Sequence, residues 1–216
     1  MKKFILLSWI TFLAVSLSTA QVHLDLKFGI SPGSKPESAS ILINRNNPHE
    51  EFQFNMTRVK QQYYGGFGLH LSLRTPFFVE GGLYYSKKTS DYEVRYKMPK
   101  DDRSRIQIMN ETEEIIHVPV SLGVSMGSVD VTSGITVYKN LSRVKQLSHI
   151  NGFQQEGNPW KFGWQMGIRY PIQRILVGME FQGTLNRVGQ GMKVNDDSLE
   201  LQNVPGKLVF SIQYRI

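Results

Sequence analysis

Over the last ten residues, KLVFSIQYRI, apolar side chains take every second position. Leu208, Phe210, Ile212, Tyr214 and Ile216 alternate with Val209, Ser211, Gln213 and Arg215. A period of two held to the final residue predicts a β-strand with one apolar face. Seven earlier segments repeat the pattern, starting at Val22, Tyr63, Phe77, Ile116, Val129, Trp160 and Ile175. In the first of them Val22, Leu24, Leu26, Phe28 and Ile30 oppose His23, Asp25, Lys27 and Gly29. Eight strands result, each near the ~9–11 residues that cross a membrane.

The connections alternate in length. Tight turns are expected near Thr75, at Met126 and in YPIQR from Tyr170, where Pro or Gly supplies the turn chemistry. The remaining four connections are long, at about 31–62, 88–114, 140–159 and 188–205, and long connections are usually functional or mobile. In the second of these, Tyr92, Val94, Tyr96 and Met98 precede PKDDRS, and Ile106 and Ile108 follow. This predicts a hairpin that carries both neighbouring strands past the sheet. Short turns at one end and long loops at the other are the asymmetry of an outer-membrane barrel.

Alternation suits a soluble, lipocalin-like barrel equally well, with its apolar face turned inward to a ligand. The polar face separates the two. It carries Gly29, Gly66, Gly68, Gly82, Gly123, Gly134, Gly163, Gly167 and Gly178, which suit a crowded narrow interior better than a solvated surface. Tyr63, Tyr85, Trp160, Tyr170 and Tyr214 fall near the ends of the apolar face, as a membrane-interface girdle would. The expected fold is all-β: an eight-stranded antiparallel up-and-down transmembrane β-barrel, the last strand closing on Gln21–Ile30 so that no edge faces hydrocarbon.

The N-terminus adds a destination. Lys2 and Lys3 precede an apolar run from Phe4 to Val15, and Ser18 and Ala20 sit where a signal peptidase would cut before Gln21. Residues 1–20 are therefore read as a cleaved signal peptide, and 21–216 as the barrel with four long extracellular loops. Loss of Lys2 and Lys3 lowers the formal charge from +7 to +5. The basic residues are dispersed rather than clustered, so no nucleic-acid partner is expected. Outer-membrane lipid is the expected environment. With no cysteine, thiolate metal sites and cysteine nucleophiles are excluded.

IIHVPVSLGV, Ile115–Val124, is similar to the strand motif aliphatic-x-Ile/Val-Pro-x-x-Leu of the PorT-like small outer-membrane barrels common in the Bacteroidota. With the signal peptide and eight strands, the mature chain resembles that family as an architecture. The resemblance implies no catalytic residues, and a weak link to type IX secretion. Phe210 and Tyr214 keep the C-terminal pattern that the barrel assembly machinery reads, while Ile216 stands where many such proteins end in Phe.

The register directs Asp25, Glu80, Asp130 and Glu180 inward with Lys27, Arg74, Lys161, Arg169 and Arg215. Near-balanced charge in a narrow lumen predicts an ion-paired interior network, because an unpaired buried charge costs several kcal/mol, on the order of 3–5 when one partner is removed. A small polar pore is the alternative use of the same groups. His23, His70 and His117 also point inward, and a metal site would need them to converge on one level. Ser148 and His149 are adjacent in a long loop but lack a group to orient the base. No catalytic residue, metal site or cofactor is assigned. The expected function is non-enzymatic: the loops contact an envelope, secretion-system or surface partner, with Tyr92, Tyr96 and Ile106 on the hairpin as the contact site. A small pore or a lipid-modifying enzyme is the other reading.

Overall fold

The computed structural model describes residues 21–35, 38–43, 51–73, 76–98, 101–144, 153–155, 160–185, 192–194, 197–198 and 206–216. The signal segment with Ala20, together with Arg74, Ser148 and His149, lies outside them; Gln21 opens the first strand. The strands are β1 (Gln21–Ser31), β2 (Ser38–Ile43), β3 (Glu51–Val59), β4 (Gln62–Ser72), β5 (Phe77–Met98), β6 (Asp101–Met126) and β7 (Val129–Val144). They continue with β8 (Phe153–Gln155), β9 (Lys161–Ile172), β10 (Ile175–Thr184), β11 (Met192–Val194), β12 (Asp197–Ser198) and β13 (Lys207–Arg215).

Eight of these close a ring in the order β1, β4, β5, β6, β7, β9, β10, β13, each antiparallel to the next. Closure comes from β13 on β1, with Leu26 opposite Tyr214 and Ile30 opposite Phe210. The Ile216 amide adds a hydrogen bond to the Leu24 carbonyl at 2.8 Å. The C-terminal strand thus has a neighbour on both sides and no free edge.

The apolar face is outside. Phe28 is 65% exposed, and Phe67, Leu83, Leu122, Ile135, Met166 and Ile212 share that surface. Five alternate positions on one strand span about 26 Å along it, or about 20 Å at the usual tilt, close to the ~25 Å apolar band of a membrane barrel. Exposed aromatics border the band at both ends: Tyr170 and Tyr214 near the short turns, Tyr63, Tyr85 and Trp160 near the long connections. The Lys139 ammonium lies 5.0 Å from the centroid of the Trp160 ring.

The glycines of the inner face make room for large rings. A Cβ at Gly123 would collide with Phe78, and one at Gly29 with Tyr64. Both rings belong to neighbours in the lumen, where side-chain volume is limiting. Gly123→Ala should therefore destabilise the barrel by about 1–3 kcal/mol through overpacking, measured by urea unfolding in detergent micelles. An unchanged midpoint would show that Phe78 can move aside.

Several local features differ from the sequence expectation. The 31–62 connection contains β2 and β3, which add to the upper half of β5 with Phe54 opposite Val94 and Met56 opposite Tyr92. β8, β11 and β12 pair in a separate three-stranded sheet. The turn in YPIQR is made by Gln173 and Arg174, not by Pro171, which stays in β9 opposite Leu176. Gln173 takes φ 56°, a left-handed conformation that costs a side-chain-bearing residue about 1–2 kcal/mol. At the equivalent place between β6 and β7, Gly127 adopts φ 65° without that cost. Pro119 interrupts the β5–β6 ladder, which skips Gly82 and Leu83, while pairing continues on the β7 side at Thr136. A residue without an N–H leaves such a gap.

Candidate functional site

The alternation that turns apolar residues outward brings charged ones together in the lumen. At the short-turn end Asp25, 1% exposed, accepts from Gln213 Nε2 at 2.5 Å and Arg215 Nε at 3.2 Å. Arg169, 2% exposed, donates through Nη1 to Gln213 Oε1 at 3.1 Å and to Glu80 Oε2 at 2.8 Å. Glu80 Oε1 is 2.8 Å from His70 Nδ1, and His70 Nε2 is 3.1 Å from Ser72 Oγ. Asp130 accepts from Ser125 Oγ at 2.6 Å.

A second layer lies at mid-height. The Lys27 ammonium pairs with Glu180 and sits 5.8 and 5.6 Å from the centroids of the Tyr64 and Tyr84 rings. Glu180 Oε2 also receives Gln182 Nε2 at 3.2 Å. Gln165 bridges Ser121 at 2.8 Å and Thr136 at 3.1 Å. Because β1 and β10, like β5 and β9, are not neighbours in the ring, the Lys27–Glu180 and Arg169–Glu80 pairs reach across the lumen. The void in this layer is only about 10 Å³, the scale of one water. At this level the interior is filled.

Above the second layer the packing opens. A cavity of about 140 Å³ lies at the long-connection end, lined among others by Lys60, Lys88, Lys161 and Lys207. Lys161, expected in the interior polar network, lines this cup. Its floor includes Gln62, His117 and Gln182. Lys207 donates to Gln62 Oε1 at 3.1 Å, and Gln62 Nε2 donates to Ser86 Oγ at 2.8 Å.

Two chemistries raised by the sequence can be tested against this geometry. The inward histidines do not converge. His23 and His70 rings are 6.2 Å apart near the short turns, while His117 packs on Tyr138 near the cup. Asp25, His70 and Glu80 do offer ligand atoms within 4.8 Å of one another. Arg215 and Arg169 already neutralise those carboxylates, so the donor set is that of an ion-pair network. Ser86 Oγ stands 2.5 Å from His117 Nε2, a nucleophile–base distance. Ser86 is wholly buried and does not line the cup, so no substrate carbonyl can approach its oxygen.

The expected contact hairpin needs a correction. β5 and β6 pair up to Tyr96 opposite Arg105, and Ile106 is exposed. Tyr92 is instead 4% exposed, buried with Met56, Val94 and Met109 on the face that continues the barrel interior. The β5 edge is also taken, by β3. Tyr96 has a place in the register, and its side chain lies outside the described set. Ile108, on the outer face beside Ile106, is 70% exposed and was not singled out from sequence.

No protein-family model matches the chain, and no curated protein is similar to it at a significant level. Among solved structures the chain is similar to the outer membrane protein OprG from Pseudomonas aeruginosa. That likeness has TM-score 0.52 and 11% identity, and covers 90% of this chain and 95% of that one. The fold is that of an outer-membrane β-barrel. The NanC porin is a looser likeness, with TM-score 0.31, 10% identity and coverage of 89% of this chain and 100% of that one.

Proposed function

We propose that the chain is a non-enzymatic protein of the bacterial outer membrane, and that its loop-side sheet docks another envelope or surface protein. The observation that carries this reading is the extension of β5 and β6, 22 and 26 residues long, beyond the ring strands beside them. β2 and β3 widen it to a four-stranded sheet. Along the outer face of β6 the apolar band runs from Val124 to Ile116, followed by polar Glu114, Thr112 and Asn110. Ile108 and Ile106 then stand exposed about 20 Å further along the membrane normal. Lipid burial gives no reason for apolar side chains at that height, whereas a docking surface does. Among the described residues β2 has a strand on one side only, and an open edge is the usual acceptor for an added strand.

The start of β1 at Gln21 and the last residue, Ile216, lie at the short-turn end, which faces the periplasm in barrels of this type. Folding there by the barrel assembly machinery follows from the C-terminal strand pattern. The resemblance to PorT-like barrels supports a partner in a secretion complex. The filled lumen favours this reading over a pore, and the buried Ser86 favours it over a hydrolase.

The test uses photo-crosslinking side chains at Ile108 and Val120 in the native host. Ile108 should give a discrete protein adduct and Val120 only lipid. Ile106→Asp should remove the adduct while the band still shifts on boiling. Absence of any protein adduct at Ile108 would overturn the docking reading.

A further inference from the structure

We propose that the loop-side cup binds a small oxyanion, a phosphate or carboxylate group carried by a ligand about the size of a monosaccharide. Four lysines, Lys60, Lys88, Lys161 and Lys207, border a cavity of about 140 Å³ in which Glu113 is the sole carboxylate among the described lining residues. That carboxylate is already shared. Its Oε2 lies 3.8 Å from Lys88, and its Oε1 accepts from Asn140 at 3.2 Å. Lys60 pairs at 3.3 Å with Asp91, which is not in the lining. Lys207 turns its ammonium to the neutral amide of Gln62.

Ammonium groups gathered around so small a space repel one another, and an entering anion offsets that repulsion for all of them at once. Lys27 is matched by Glu180, Arg169 by Glu80 and Arg215 by Asp25. Among the described residues, ion pairs below form a structural plug, whereas four lysines and one carboxylate line the cup above it. Val59, Ile115 and Tyr138 supply an apolar wall for the rest of the ligand. Since the layer beneath is filled, the ligand enters and leaves by the same mouth and is held rather than passed.

The mature chain, purified in a non-ionic detergent, would be titrated calorimetrically at low salt with glucose 6-phosphate, glucuronate, inorganic phosphate and glucose. Saturable binding of glucose 6-phosphate or glucuronate is expected, with none of glucose; the two anions tell a phosphate site from a carboxylate site. Lys207→Gln and Lys161→Gln should each weaken binding about tenfold or more. Lys139→Gln, on the outer wall against Trp160, should leave it unchanged. If either cup variant fails to shift on boiling, Lys88→Gln takes its place. No saturable binding of any anion, equal binding of glucose, or undiminished binding in the folded cup variants would overturn the proposal.

Discussion

Val120→Arg is expected to destabilise the folded barrel by about 2–4 kcal/mol, read from reversible urea titration in phospholipid vesicles. Val120 is the central one of five outward positions on β6 between Ile116 and Val124, and its side chain is exposed. At the middle of the apolar band a guanidinium must thin the bilayer or reach along the wall to the interface. The cost should fall with depth. Met126→Arg, beside the Gly127 turn, should lose only about 0–1 kcal/mol, because its charge can reach the head groups. A soluble barrel with the same register would gain solubility from either change and lose little stability. Equal, small effects at both positions would therefore show that this face does not meet lipid.

That face was legible from sequence because a period of two carries the same information as the pleat of the strand. Every outward residue from Val22 to Ile216 is set by parity once the register is known, and the glycines on the other face decide which side is crowded. The tyrosines and tryptophan at the strand ends gave the height of the band. Features that depend on three-dimensional neighbours were less accessible. Phe52, Phe54 and Met56 alternate within the first long connection, but polar residues before and after them let β3 pass as loop. Tyr92 looked like a contact residue because its strand outruns the barrel. Its burial depends on β3, a segment distant in sequence, packing alongside.

The same limit applies to the lumen. Inward charges could be named from parity, but not their partners. Arg169 and Glu80 are 89 positions apart on strands that do not adjoin. Nothing in the local sequence marks Lys60, Lys88, Lys161 and Lys207 as a group, since Lys88, Lys161 and Lys207 belong to β5, β9 and β13 and Lys60 lies between β3 and β4, segments that meet only when the barrel closes. Likewise Pro171 attracted the turn assignment that belongs to Gln173 and Arg174. Proline is a strong turn former, yet here it occupies the last inward position of a strand.

Arg169→Met should lose about 3–5 kcal/mol of barrel stability, the range for removing one partner of a buried ion pair. The variant keeps much of the side-chain volume over the Phe78 ring, whose centroid is 5.5 Å from the guanidinium carbon, so the loss reports charge more than packing. Glu80 would lose its ion-pair partner, and Asp130 the cation opposite it in the β7–β9 register. Only Nη1 of Arg169 has acceptors among the described residues; Nε and Nη2 have none. Its contribution therefore rests on the charge rather than on a full set of bonds, and Arg169→Lys should retain more than half of the stability that Arg169→Met loses. Glu80→Gln in the Arg169→Met background should cost less than Glu80→Gln alone, by roughly 1–3 kcal/mol of coupling. Additive losses in that cycle would mean that the two groups do not neutralise each other. The plug below the cup would then be held by shape and by the Asp25–Arg215 and Lys27–Glu180 pairs instead.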